Sequence, residues 1–217
     1  MAASPRAFVL RNTRLRAVPG IAGIRLHLAD EALPLWHAVG VETGDPDAAL
    51  PYWAFAWGGG LAIARYLEEH PAAVAGRTVL DLASGSGLCA IAAAQAGAGV
   101  VRASDIDRFA LAAIGLNARA NSVRISAERR DILDADPPDD VDLILAGDVC
   151  YEAAFAERTI GWLRRSRARG IDVLLGDPGR RYLPIDQLVE LASYEVRTTT
   201  ELEDLERKTG WVYALGD

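Results

Sequence analysis

Val79-Leu80-Asp81-Leu82-Ala83-Ser84-Gly85-Ser86-Gly87 is the stretch that decides how this chain folds. Its opening residues form a short apolar run that reads as a buried strand, and Gly85 and Gly87 break it into a tight loop. The residues that follow, 88–96, are rich in Leu and Ala and read as a helix. Glycines at such a junction let the backbone approach a ligand closely, while the helix start offers unpaired N–H groups to anionic atoms.

Downstream of this junction the same alternation recurs, which is the pattern of βαβ units and a mostly parallel sheet. Strands are expected at residues 78–82, 100–104, 123–128, 141–146, 171–176, 194–200 and 211–215. Helices are expected at 88–96, 108–120, 153–168 and 185–192, on both faces of the sheet. The acidic stretch 201–210 is too short for a convincing helix, so the last two strands are expected to form an antiparallel hairpin. Upstream, alternating apolar residues in 8–28 around Val18-Pro19-Gly20 predict a β-hairpin outside the sheet. Residues 1–50 are read as an N-terminal extension packed on the core, and 51–217 as a single α/β domain.

At 217 residues and 51% hydrophobic, the chain is long enough to bury the two-sided core of one sheet. Its net charge of −7 argues against a nucleic-acid partner, since phosphate binding needs clustered Lys and Arg. Cys89 and Cys150 have no Cys or His near them at the spacing of a zinc site, and read as reduced, buried thiols. The first sixteen residues lack the apolar run of a signal peptide, and no stretch approaches ~18 apolar residues. A cytoplasmic monomer with no membrane contact is the expectation.

The ligand of the glycine loop has two readings. Gly85-Ser86-Gly87-Leu88-Cys89-Ala90 matches G-x-G-x-x-A, with Asp105 about 20 residues on as a ribose carboxylate, which suits a dinucleotide. Asp81, just before the loop, would repel a pyrophosphate but attract the cationic ammonium of S-adenosylmethionine (SAM). A plainer role for Asp81 is to cap the helix or bond the loop. Asp105, followed by Ile106, suits the ribose diol of either ligand. Asp131 is placed to accept a bond from the adenine amine, with Ile132 flanking the ring, although an ordinary loop aspartate is an equally simple reading.

Together, the quoted loop, Ser104-Asp105, Arg130-Asp131 and Gly147-Asp148 resemble the successive motifs of the class I, seven-β-strand methyltransferases. The resemblance runs from Pro51 to the C-terminus. It departs at Ala83, which stands where glycine is usual. Three further segments, residues 51–60 (PYWAFAWGGG), Asp148-Val149-Cys150-Tyr151 and Gly176-Asp177-Pro178-Gly179-Arg180, resemble the lysine methyltransferases of the electron transfer flavoprotein beta subunit. That likeness implies SAM as cofactor, held by Trp57, Asp81, Ala83, Ser84, Gly85, Gly87, Asp105, Ile106, Asp131 and Ile132. It also implies Asp148 and Tyr151 as the catalytic pair of a D-x-x-Y motif, and the flavoprotein subunit as partner. The ribosomal protein L11 methyltransferases are similar too, but carry an Asn-Pro-type motif where this chain has Asp148 to Tyr151.

Methyl transfer from a sulfonium is a single displacement and needs a neutral amine lone pair in line with the methyl group. A free lysine, with a pKa near ~10.4, is almost wholly charged at neutral pH. Asp148 favours the charged form, so its expected role is docking and orientation of the ammonium, not general-base catalysis. Trp53, Phe55, Trp57 and Tyr151 are candidates for a desolvating aromatic wall. The bland alternative for that segment is core beneath a surface helix. Asp177 and Arg180, after the fifth strand, either line the substrate entrance or shape the turn. The run Arg164, Arg165, Arg167 and Arg169 reads as a solvated face. Lys208 is the only lysine, a bias that GC-rich coding explains and that would also spare a lysine modifier from itself.

Methylation of ribosomal proteins or of a small amine remains open as an alternative. So do an NAD-binding oxidoreductase and a non-catalytic SAM-binding module.

Overall fold

The structure, a computed structural model, describes residues 4–198 and 207–216. Ser4 caps the first helix, α1 (Pro5–Asn12), by accepting from the Ala7 N–H at 3.3 Å, and Pro5 suits a first turn. The hairpin β1 (Arg14–Ala17) and β2 (Arg25–Leu28) follows as a separate two-stranded sheet. Residues 8–12, expected in that hairpin, belong instead to α1, because the Ser4-Pro5 start signal outweighs the local apolar alternation.

After the hairpin come α2 (Ala32–Thr43) and α3 (Gly58–Glu69), then the alternating domain: β3 (Thr78–Leu82), α4 (Leu88–Gln95), β4 (Val100–Asp105), α5 (Arg108–Ala120) and β5 (Ser126–Arg129). The chain continues through β6 (Leu143–Gly147), α6 (Ala153–Ala168), β7 (Asp172–Asp177), β8 (Leu188–Arg197) and β9 (Arg207–Leu215). Among the described residues the larger sheet has seven strands in the order β5-β4-β3-β6-β7-β9-β8. β3 to β7 are parallel, while β9 runs antiparallel to both of its neighbours. This is the expected seven-stranded, mostly parallel α/β sheet with an antiparallel end.

Strand residues alternate between two cores as the pleat requires. Val79, Val101, Leu143 and Leu145 pack with Leu61, Ile63 and Ile91 from α3 and α4. Leu80, Leu82, Ile144 and Leu175 pack with Trp162 and Leu163 from α6 on the other face. A third cluster joins the N-terminal region to α5, with the Phe8 and Phe109 rings 4.6 Å apart. Buried Asn117 of α5 accepts from the His27 N–H at 2.7 Å and donates to the Ser86 carbonyl at 2.8 Å, so it links the hairpin to the glycine loop.

The helix expected at 185–192 does not form. Residues Ile185–Gln187 make one 3-10 turn, and β8 then pairs with β9 from Leu188 to Arg197, with an irregularity between Glu190 and Ala192. The helix-like spacing of Leu188, Leu191 and Ala192 is overridden by that long ladder, because strand preference depends on the partner strand. Residues 199 and 200 of the expected sixth strand, and 201–206 of the acidic connection, lie outside the described residues. The arginine run is more than a solvated face. Arg165 donates to the Leu133 carbonyl and Arg169 to that of Pro137, while Arg167 pairs with Asp172. Among the described residues, no helix is long and apolar enough to cross a membrane.

What positions the site is the seating of α3 on the strand ends. A Cβ on Gly59 would stand 2.1 Å from the Gly176 carbonyl oxygen, and one on Gly147 3.1 Å from the Gly60 backbone. Glycine on both sides is therefore required for the start of α3 to meet the ends of β6 and β7.

Candidate active site

A cavity of about 410 Å³ opens at the carboxyl ends of β3, β4 and β6, where ligands of such sheets bind. Its floor is the glycine loop. Ala83, Gly85 and Gly87 all have left-handed backbones, with φ of 52°, 54° and 82°. Ala83 thus holds a conformation that glycine adopts more cheaply. At Gly87 a larger residue is disfavoured by the φ of 82° itself, since its Cβ would make only ordinary contact with Ile114 of α5.

Two carboxylates brace this loop. Asp81, at 2% exposure, accepts from the Ala90 N–H at 3.0 Å and from the Ser84 hydroxyl. Burial pushes its pKa up to about 7, against the pull of those two bonds. Asp81 therefore does bond the loop, and it lines the cavity as well. Asp105 accepts from the Gly85 N–H at 2.8 Å and the Asp107 N–H at 2.9 Å, and burial raises its pKa too. Exposed Ile106 stands at the mouth, while Ile132 is buried in the wall. Asp131 accepts from the Leu133 N–H at 3.1 Å and pairs with Arg158 at 2.8 Å, which holds its carboxyl below the usual range.

Across the cavity sits Asp148, with φ of 61°. Its carboxylate accepts from the N–H groups of Gly59 at 3.0 Å and Gly60 at 2.7 Å, at the start of α3, and from the guanidinium of Arg180. A helix N-terminus and an arginine together make a strongly favourable setting for a negative charge. Asp177, expected with Arg180 at the substrate entrance, is instead fully buried and lies outside the cavity lining. Its position at the end of β7, inside the sheet, is the reason: it accepts from the Arg180 N–H at 2.6 Å and shapes the turn, while Arg180 itself faces the cavity. Burial raises Asp177 to about 6.

All four rings expected in the aromatic wall line the cavity, joined by Tyr52 and Phe155. The Tyr52 ring lies 5.7 Å from Trp57 and 5.2 Å from Tyr151, and Tyr151 lies 5.3 Å from Phe155. The Trp57 indole donates to the Tyr52 carbonyl at 2.9 Å. Burial pushes Tyr151 up to about 12, so it is a neutral phenol at physiological pH. Trp53 and Phe55 also line the cavity but are buried within the third core cluster, where Trp53 packs on Phe109 at 6.1 Å. Tyr52 and Phe155 were not singled out from the sequence. Phe155, four residues after Tyr151, follows it by about one helical turn.

The buried indole N–H of Trp53 has no hydrogen-bond partner among the described residues. A cradle of left-handed residues at a helix start and two buried acids on one side of the cavity suit a ligand that carries both an anionic and a cationic group.

Sheet order and glycine-loop site together define a Rossmann-like methyltransferase of the seven-strand class. The crystal structure of magnesium protoporphyrin IX methyltransferase from Synechocystis PCC 6803 with bound SAM shares this fold at a TM-score of 0.53 and 16% identity, covering 74% of this chain and 80% of that one. A family model described as ribosomal protein L11 methyltransferase (PrmA) matches residues 64–148. The electron transfer flavoprotein beta subunit lysine methyltransferase of Xenopus laevis is 36% identical over 221 residues, 98% of this chain and 88% of the relative. Its homolog in Caenorhabditis elegans is 32% identical over 207 residues, 88% of this chain and 83% of the relative. The chain belongs to the electron transfer flavoprotein beta subunit lysine methyltransferase family.

Proposed function

We propose that this chain transfers a methyl group from SAM to a lysine of the electron transfer flavoprotein beta subunit. The observation that carries the reading is the cavity itself, with a glycine loop braced by buried acids on one side and Asp148 beside an aromatic wall on the other. When bound, SAM supplies the electrophilic methyl on a sulfonium. On the cofactor side Asp81, Ala83, Ser84, Gly85 and Gly87 hold the amino-acid end, Asp105 and Ile106 the ribose, and Asp131 with Ile132 the adenine. Trp57 closes that side.

On the other side Asp148 orients the acceptor lysine, and the rings of Tyr52, Trp57, Tyr151 and Phe155 exclude water. Desolvation and the approaching sulfonium both disfavour an ammonium, so they drive the amine toward the neutral form that reacts. Asp148 opposes this by its charge, which the N–H groups at the start of α3 moderate. Arg180 lines the entrance, and Trp53 and Phe55 back the wall. We read the chain as a cytoplasmic monomer with a protein partner, without nucleic acid or membrane. Two buried free thiols support a reducing compartment.

Radiolabelled SAM with the purified subunit tests the substrate. Label on the subunit, lost when its target lysine is replaced, is the expected outcome; label that survives that replacement, or none, defeats it. The L11-type family model spans residues 64–148, whereas the flavoprotein-subunit relative of Xenopus laevis covers 98% of this chain, which favours the flavoprotein subunit as acceptor.

A further inference from the structure

Arg180 reaches the acceptor side from the loop after β7. One nitrogen of its guanidinium, Nη1, contacts Asp148 Oδ1 and lies 3.5 Å from Asp177 Oδ2. Of these two carboxylates, Asp148 lines the cavity and Asp177 is closed off from it. The groups that act electrostatically on Asp177 are Arg180, Asp148, Cys150 and Tyr213, and Arg180 is the cation among them. With both acids ionised, the cluster of two carboxylates and one guanidinium carries one net negative charge.

We propose that Arg180 and the acceptor ammonium share a single seat on Asp148, and that buried Asp177 is the second seat, to which the guanidinium withdraws. The inference rests on the lysine-methyltransferase reading above. Two cations crowded on one carboxylate repel each other in a partly buried site, whereas a second carboxylate within reach removes that repulsion. Nη1 already lies between the two acids, so the exchange needs a side-chain rotation and no backbone movement. A neutral side chain has no charge with which to displace the guanidinium. Asp177 thus acts as a positioning residue that makes the site selective for one cationic acceptor, without touching it.

The test is a double-mutant cycle on the full chain, reading KM and kcat for the flavoprotein subunit and SAM affinity by calorimetry. Asp177→Asn keeps an acceptor for the Arg180 N–H but removes the second charge. It raises KM about tenfold, the weight of one pK unit of charge interaction, with SAM affinity unchanged. Arg180→Gln vacates the seat and lowers KM. The double variant, with Asp148 as its one acid and no competing cation, returns to the KM of Arg180→Gln. That rescue is what a merely structural role for Asp177 would not produce. Additive KM effects, or a fall confined to kcat, overturn the proposal. Should Asp177→Asn fail to fold, an unchanged or raised KM in Arg180→Gln overturns it by itself. If the wild-type protein does not label the subunit at all, the substrate reading falls and this inference falls with it; label without rescue defeats the inference alone.

Discussion

On the β3 and β4 side of the cavity, the hydrogen bonds to Asp81 and Asp105 come from backbone N–H groups and a hydroxyl, and both acids are raised by burial. On the β6 and β7 side, Asp148 and Asp177 share one guanidinium. Among the described residues, one side holds buried negative charge without a cation, and the other holds it with one. Buried carboxylates without a cationic partner are costly, and a ligand that brings a positive charge relieves that cost. On the reading proposed above, the first side takes a cation from its ligand, and the second exchanges one.

Replacing one acid on each side separates the two. Asp148→Ala removes the partner of two α3 N–H groups and of Arg180, and we expect methyl transfer to fall by about a hundredfold or more, the size of a misplaced reacting group, while SAM affinity measured by calorimetry holds. Asp105→Ala should instead weaken SAM binding by about tenfold or more, since the loop N–H of Gly85 loses its acceptor. Equal loss of cofactor binding in both variants would erase the distinction between the sides.

Two smaller effects sharpen it. Gly59→Ala drives a Cβ into the Gly176 carbonyl and should cost about 1–3 kcal/mol, seen as a drop of roughly 3–10 °C in thermal unfolding. An unchanged midpoint would mean that α3 is not seated on β7 as described. The smallest effect is in pH. Asp81 is raised to about 7, so it is largely protonated at pH 6, and binding a cation there releases the proton. SAM affinity should thus rise by less than about tenfold between pH 6 and 8, and a flat profile in Asp81→Asn would assign the change. For the ligand-free fold the sign is opposite. A carboxyl raised from 3.8 to about 7 gives stability that is present in acid and lost as pH climbs through 7.

Much of this was legible in the sequence where local signals agreed. The run from Val79 to Gly87 marks strand, loop and helix at once, and Asp81 in β3, Asp105 at the end of β4 and Asp148 after β6 sit around one cavity as that frame requires. The misses have physical causes. Three successive glycines hid α3, because their purpose is close contact with Gly176 and Gly147 and not helix propensity. The first half of β8, residues 188–192, reads as a helix because its pairing with β9 is a long-range property, while the strand expected from residue 194 forms its second half. Asp177 sits only three residues before Arg180, yet one is sealed in the sheet and the other faces the cavity, a difference that no spacing rule conveys. The bonds from α3 to Asp148 span 89 and 88 positions and have no local trace.

The hydrogen-thin joint between α3 and the ends of β6 and β7 also dictates how reactants come and go. With no clearance at that seam, helix and strands travel as one block, and the inner wall of the cavity cannot hinge outward there. Passage is left to the rim of the cavity, where the exposed side chains of Tyr52, Ile106 and Tyr151 stand. The cavity therefore keeps one fixed wall, and the size of its opening is set by the side chains at its rim.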